Sequence, residues 1–523
     1  MQNFNFKNKK MKNIKKYTFF TMIICLFSTY SCTDILDQEP VSITHPAVFW
    51  DSQPNAEQAL AGSYGLFKYA ITYQANFIYW GELPGMTFMN SRNWISDYIE
   101  NSGNYVLAYR DNSRNWKNFY RAANWALTIE KYVADMPDNL FTSVEEKNRI
   151  IGEAAFVRGL SYYWMARIWG DVPIVTESVE SSDQLLGEDG FIVRIPRSNE
   201  LEVLDFALEA TNKAIGLLEY SAPGNTNWAI TANRGSAEAL KAGLTLWYAS
   251  RDNNNSDMVQ QSIEAATSAI NNSGAELIDY VTEGKDGFDA MCIGQSKTGL
   301  FEINVSADMN ESFRMESNDG HYTGLTLNYP IWKTENTGVA PTIDPDFYGK
   351  EMMNEDDDRE NDIRKELFFY DYESSSNSFP LKYSHSSADP NSEDAYALFS
   401  ESNIVLFRMA DMYLLRAEAQ ARSGATGLAV ADLNMVRSKA NVPNYNGATD
   451  DDSLMKAIFD ERAIEFVGEG KSAYDRIRMN YYEGVPWMNQ SRIAKKGYFW
   501  PIDPSIITNN PSIVQTEYWR GAL

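Results

Sequence analysis

Residues 153–176 read EAAFVRGLSYYWMARIWGDVPIVT, and this stretch decides what kind of fold the chain adopts. Ile150, Ala154, Val157, Ser161, Trp164 and Ile168 fall on one helical stripe, and Phe156, Leu160 and Tyr163 on the next. Glu153, Arg158 and Arg167 are almost its only strongly polar residues. A helix this apolar, broken by charges and short of a membrane span, belongs in the middle of a soluble core. Gly170-Asp171 stops it, and Pro173 among β-branched neighbours forces an extended exit.

Helical period continues on both sides of this stretch. Trp116–Ala134 and Val144–Trp169 read as an antiparallel pair across the turn Pro137–Thr142, preceded by a helix over Ala56–Ala70. Ser198–Leu218 is amphipathic, with Ser198 placed as its N-cap, and Thr231–Ser250 and Met258–Asn271 follow. Ala237, Ala239, Ala242 and Gly243 allow close helix approach, as in tetratricopeptide-like pairs of irregular spacing. Helices return at Ile404–Ala421, Gly427–Lys439 and Asp452–Phe466, the last with Asp450, Asp451 and Asp452 as N-terminal charge. Trp116, Trp125, Trp164 and Trp247 sit inside these periods and read as core.

Two regions break the pattern. Residues 71–114 mix Gly, Pro, Asn and aromatics, and loops of this length in compact domains are usually functional. Residues 275–400 are rich in Gly, Asn, Ser and aromatics with short β-like runs such as Gly299–Val305, an insertion-like part. The expected organisation is a leader over 1–31, a helical part over 32–274 containing the loop 71–114, the loop-rich part 275–400, and a helical part with an irregular tail over 401–523.

The net charge of -25 repels phosphate backbones and anionic lipid surfaces, which argues against nucleic acid as a partner. Aromatics make up 13% of the chain, more than packing usually requires, which hints at rings that face a ligand. Lys7–Lys16 is a basic segment and Tyr17–Tyr30 an apolar run too short to span a bilayer comfortably. The leader works equally well from Met1 or Met11. Small residues at Thr29 and Ser31 before Cys32 suggest lipoprotein processing, leaving Cys32 acylated as the first residue of an anchored protein. Cys292, alone in the body, reads as a small buried hydrophobe.

Six segments, in order, resemble the SusD/RagB family of outer-membrane glycan-binding lipoproteins of Bacteroidetes. They are Cys32–Pro40 (CTDILDQEP), Glu153–Thr176, Ile195–Ser198 (IPRS), Phe407–Ala419 (FRMADMYLLRAEA), Asp460–Gly470 (DERAIEFVGEG) and Trp500–Pro504 (WPIDP). The resemblance implies a predominantly α-helical fold, in which a tetratricopeptide-like scaffold carries an irregular, partly β, ligand-binding face. It implies as partners a glycan and a TonB-dependent outer-membrane barrel of the SusC type, which the lipoprotein caps at the cell surface. It is weakest in 71–114 and 275–400, the regions it assigns to the binding face.

Chemistry is sparse. His45, His321 and His385 have no HExxH or CxxC partners, and no phosphate-binding glycine loop is present. The acidic run Glu355–Asp362 lacks the spacing and central glycine of a calcium loop and reads as a solvated loop leading into Asp362–Phe368. Nothing singles out a pair of carboxylates for glycoside hydrolysis. The expected function is therefore non-catalytic glycan binding without a cofactor. Two alternatives stand beside it: a lid of the same transporter type that binds peptides or glycoprotein fragments, and a glycoside hydrolase. Pyranose C–H faces pack on Trp and Tyr rings, while Asn, Asp and Arg take the hydroxyls. Two loop clusters qualify. The first is Tyr79, Trp80, Arg92, Asn93, Trp94 and Tyr98; the second is Tyr322, Tyr329 and Trp332 with Asn328 nearby. Trp94 and Trp332 are the expected stacking platforms, and Arg92 and Asn93 the hydroxyl partners.

Overall fold

Every residue from Ile150 to Ala166 is buried in helix Val144–Trp169, so the helix is enclosed on all sides. The computed structural model that places it describes residues 49–73, 76–85, 88–89, 102–106, 111–186, 193–305, 342–343, 359–370, 379–388 and 398–521. The leader, Cys32 and most of the candidate loop residues lie outside these. Ser143 caps the helix by accepting from the Glu146 amide, and Gly170, at φ 69°, closes it. Gly152 and Gly159, seven residues apart, let the next helix approach. A Cβ at Gly159 would lie 2.8 Å from Thr211 Oγ1, and one at Gly152 would lie 2.9 Å from the Leu218 side chain.

We number the long helices of the scaffold α1 (Gln53–Thr72), α2 (Lys117–Asp135), α3 (Val144–Trp169), α4 (Glu200–Leu217), α5 (Arg234–Arg251) and α6 (Ser256–Asn272). Each packs on the next. Asn199, not Ser198, caps α4: its side chain accepts from the Leu201 and Glu202 amides, and Glu202 reaches back to the Asn199 amide. The Ser198 amide instead bridges to Val172 O. α6 then packs directly on α7 (Met409–Arg422), which is followed by α8 (Thr426–Lys439), α9 (Asp451–Glu465) and α10 (Ser472–Met479). The stack is thus continuous across the loop-rich region, as a tetratricopeptide-like scaffold requires.

Two expectations are corrected here. Ile404–Arg408 is a strand rather than the start of a helix. It pairs antiparallel with Gly299–Ile303, and all ten residues are buried, so the alternation that would reveal a strand is missing. Within 275–400, Tyr280–Ile293 is helical, broken at Gly284, whose φ of 53° leaves the helical region. Cys292 is buried with a free thiol, and burial pushes its pKa far up.

The least expected feature is charge inside the protein. Glu465 on α9 holds Arg408 at 2.6 Å and Arg364 at 2.8 Å, and Glu461, one turn earlier, holds Arg359 and Arg364 at 2.8 Å. Asp362 grips Arg364 with both oxygens, and Glu469 binds Arg408 and Lys382. On the neighbouring face of α9, Arg462 joins Asp411 to Asp475, and Arg478 links Asp475 to Glu418. Arg359 and Asp362 are 0% and 2% exposed, so the reading of Glu355–Asp362 as a solvated loop fails at these two residues, while Glu360 and Asn361 are exposed and 355–358 lie outside the described residues. Burial works to raise the Glu465 carboxyl, but Arg408, Arg364 and Lys382 overcome it and bring its pKa down to about 2; Arg478 and Arg422 do the same for Glu418.

Removing one partner from such a network strands the others, so Glu465→Ala is expected to cost about 3–5 kcal/mol in urea denaturation. Both carboxylates are depressed below their ordinary value of 4.5. Their stabilisation is complete above pH 4.5 and is lost as pH falls from there toward 2.

Candidate functional site

The structure corrects one site assignment. Trp80 lies in the short helix Asn76–Gly81 and is 2% exposed. Its Nε1 donates to Ser113 O at 2.8 Å, and its ring packs on Phe119, Trp164 and Trp169. No ring face remains for a sugar. Tyr79 is likewise fully buried. The two belong to the base of the first loop rather than to its rim. Arg92, Asn93, Trp94 and Tyr98 of the first cluster, and Tyr322, Asn328, Tyr329 and Trp332 of the second, lie outside the described residues.

What the structure does describe is how both loops are rooted. The backbone of Phe88–Met89 pairs antiparallel with Thr342–Ile343. This short ladder joins a segment ending three positions before Arg92 to one beginning ten positions after Trp332, so two backbone segments far apart in sequence lie side by side.

Below the ladder, both roots converge on the turn after α9. Gly81 is pressed on it so closely that a Cβ would lie 2.1 Å from Gly470 O, and Glu82 accepts from the Gly470 amide at 2.8 Å. Gly85 O accepts from Arg476 Nε at 2.8 Å. On the other side, Lys382 Nζ donates to Glu465 O at 2.6 Å and Tyr383 Oη to Gly468 O at 2.8 Å. Phe77 and Tyr383 meet edge to face between the two roots. The returning end of the first loop is held by the tail, where Tyr105 stacks on Trp500 at 4.7 Å. Arg492 lies against the rings of Tyr105, Trp487, Tyr518 and Trp519 at 4.5–5.1 Å.

Sequence reasoning missed these anchors. One signal was available: Glu461, Glu465 and Glu469 recur every fourth residue through the stretch Ala463–Gly468, whose other residues are apolar, where solvated acids have no reason to keep step.

A separate cavity of about 760 Å³ opens between α1, α3, the end of α4 and the strand Gly299–Ile303. Its charges are largely spent on one another. Arg149 is clasped by Glu57, Glu146 and Glu153, and Tyr64 donates to Glu153 at 2.7 Å. Lys68 donates to Asn304 O. Among the described residues, no group of three His, Cys, Asp or Glu could hold a metal ion.

Glu302 on this wall is 1% exposed. Oε2 accepts from the Gln295 amide and Asn403 Nδ2, while Oε1 has no hydrogen-bond partner among the described residues. A Cβ at Gly299 would lie 2.2 Å from Oε1. Burial raises the Glu302 carboxyl to about 7 against these two hydrogen bonds. Between pH 4.5 and about 7 the folded chain therefore keeps a proton that the unfolded chain has lost, and stability from this group rises as pH falls across that window. Glu302→Gln imitates the protonated form. It is expected to flatten this dependence and to gain roughly 1–3 kcal/mol above pH 7, as read from thermal melts between pH 5 and 8.

Two family models match the chain: one described as the SusD family over residues 265–519, the other as "Starch-binding associating with outer membrane" over 34–239. The chain is 25% identical to "SusD-like protein P38" of Formosa agariphila, covering 97% of this chain and 99% of that protein. It is 31% identical to "Starch-binding protein SusD" of Bacteroides thetaiotaomicron over 24% of this chain and 23% of that protein. A solved SusD homolog from Bacteroides thetaiotaomicron superposes with a TM-score of 0.76 at 25% identity, covering 90% of this chain and 100% of its own.

Proposed function

Because this chain belongs to the SusD family, we propose that it is a non-catalytic cell-surface lipoprotein. In this reading it captures an oligosaccharide or polysaccharide and delivers it to a TonB-dependent outer-membrane barrel of the SusC type. The observation that carries the reading is the pairing of Phe88–Met89 with Thr342–Ile343, which supports a shared location for the two aromatic clusters. Trp94 and Trp332 then act as stacking platforms, with Tyr98, Tyr322 and Tyr329 as further rings and Arg92 and Asn93 as hydroxyl partners. Trp80 is left out, because its ring is spent in the core. The fold divides its work accordingly: 32–274 and 401–523 make the scaffold, and 275–400 with the loop inside 71–114 makes the binding face. Acyl chains on Cys32 tether the whole, each buried methylene adding roughly 0.8 kcal/mol. Weak intrinsic affinity suffices, because the barrel beneath supplies a high effective concentration.

Sugar–aromatic platforms owe their strength to burial of apolar ring faces. In calorimetry against a panel of oligosaccharides, Trp94→Ala and Trp332→Ala are each expected to weaken binding about tenfold or more, a loss of about 1.4 kcal/mol. Unchanged binding in both variants refutes the site, and binding of peptides in place of glycans redirects the function. Cys32→Ala is expected to release the protein from the membrane fraction.

A further inference from the structure

The C-terminal tail folds back beside the exit of α3 and encloses a cleft of about 470 Å³. Arg197, Lys495, Lys496 and Arg520 line it, facing only Asp171 and Glu517 as carboxylates. A net positive cleft in a chain of net charge -25 is a local reversal of the protein's field. The cations are unequally committed. Arg197 holds the cleft together, donating to Asp171 O, Trp169 O and Val514 O, with the Asp171 carboxylate near enough to favour its charge without a direct ion pair. Arg520 donates through Nε to Gln515 O. Among the described residues, neither the Lys495 nor the Lys496 ammonium group has a hydrogen bond or ion pair.

Three more features point the same way. Helix Gln490–Ala494 ends in a turn closed by Lys496 N–H to Ile493 O and Gly497 N–H to Arg492 O. This turn puts residue 496 in the left-handed region, at φ 54°. Glycine is the residue that position favours, yet a lysine stands there. Glycine comes one residue later, where a Cβ would lie 2.5 Å from Arg492 Cγ. The wall also includes Trp169, whose buried Nε1 has no acceptor among the described residues. Finally, Val514 lines the cleft at 52% exposure, giving an apolar patch beside the cations.

We propose that this cleft binds a sugar-borne oxyanion, the carboxylate of a uronic acid or a sulfate ester, with Lys495 and Lys496 as its direct ligands. The volume suits a single sugar unit. Val514 offers a surface for C–H groups, and the two ammonium groups supply charge-assisted hydrogen bonds to the oxyanion. Arg197 positions the tail and adds to the field. The cleft shares no residue with the two loop clusters, so it operates whether or not those loops bind glycan.

The test is calorimetry at low salt on the full-chain protein carrying Trp94→Ala and Trp332→Ala, which removes the loop platforms from the measurement. The ligands are glucuronate, glucose 6-sulfate and glucose. Binding of one or both acidic sugars without glucose is expected, and which of the two binds identifies the oxyanion. Lys495→Ala with Lys496→Ala is expected to weaken that binding about tenfold or more, as is raised salt. Lys496→Gly is expected to raise Tm while weakening binding, because it relieves the turn and removes the ligand. Absent binding, equal binding of glucose, or unchanged affinity in the lysine variants overturns the proposal.

Discussion

Glu465 sits between Arg408 and Arg364, out of reach of water, and much of the loop-rich part of the molecule is hung on that arrangement. Taking these ions from water costs several kcal/mol each, and their attraction does little more than offset the loss. The network is therefore a poor source of net stability. What it supplies is direction. An apolar plug of the same volume tolerates rotation and sliding, whereas a carboxylate held by two guanidinium groups has one satisfied geometry. Because Arg359, Arg364, Lys382 and Arg408 are spread through the segment that carries the second loop-rich region, their common attachment to α9 and the turn after it fixes where that segment meets the scaffold. The ladders described in the loop regions are only two or three residues long, so the ion pairs at the root add the fixed points that such short pairings lack.

The scaffold was legible in the sequence because its helices obey local rules. The period of 3.6, small residues at crossings and capping residues placed Val144–Trp169 to the residue and the neighbouring helices within a few positions. Failures came where tertiary context overrode the local pattern. Ile404–Arg408 reads as the front of a helix because a strand buried on both faces shows no alternation. Ser198 looked like a cap because it precedes the first apolar residue, yet only Asn199 has a glutamate three positions on to return the bond.

The candidate site divides along the same line. Aromatics in non-helical segments can be found by composition, which is how both clusters were recognised. Composition cannot tell a ring at a loop's rim from one at its base, and Trp80 was misassigned for that reason. The anchors were harder still. Arg359 and Asp362 lie in a run of charges that resembles a solvated loop in every local respect, and only the pairing of Arg359 with Glu461 on α9, and of Asp362 with Arg359 and Arg364, reveals otherwise. Ion pairs between residues a hundred positions apart leave no trace on the arginine side, and only the four-residue step of the acids on α9 and the turn after it hints at them.

The direct packing of α6 on α7, across the whole loop-rich region, has a consequence for the order in which the protein assembles. Helices α1 to α6 make contacts between neighbours in the chain, which cost little closure entropy and form fast. The joint between α6 and α7, the pairing of Ile303 with Ile404 and the attachment of Arg364 and Arg408 to Glu465 all wait until a long segment has been gathered in. The scaffold's first half can thus stand as a template while the charged partners are still hydrated. The loop-rich part, rooted in those late contacts, matures last.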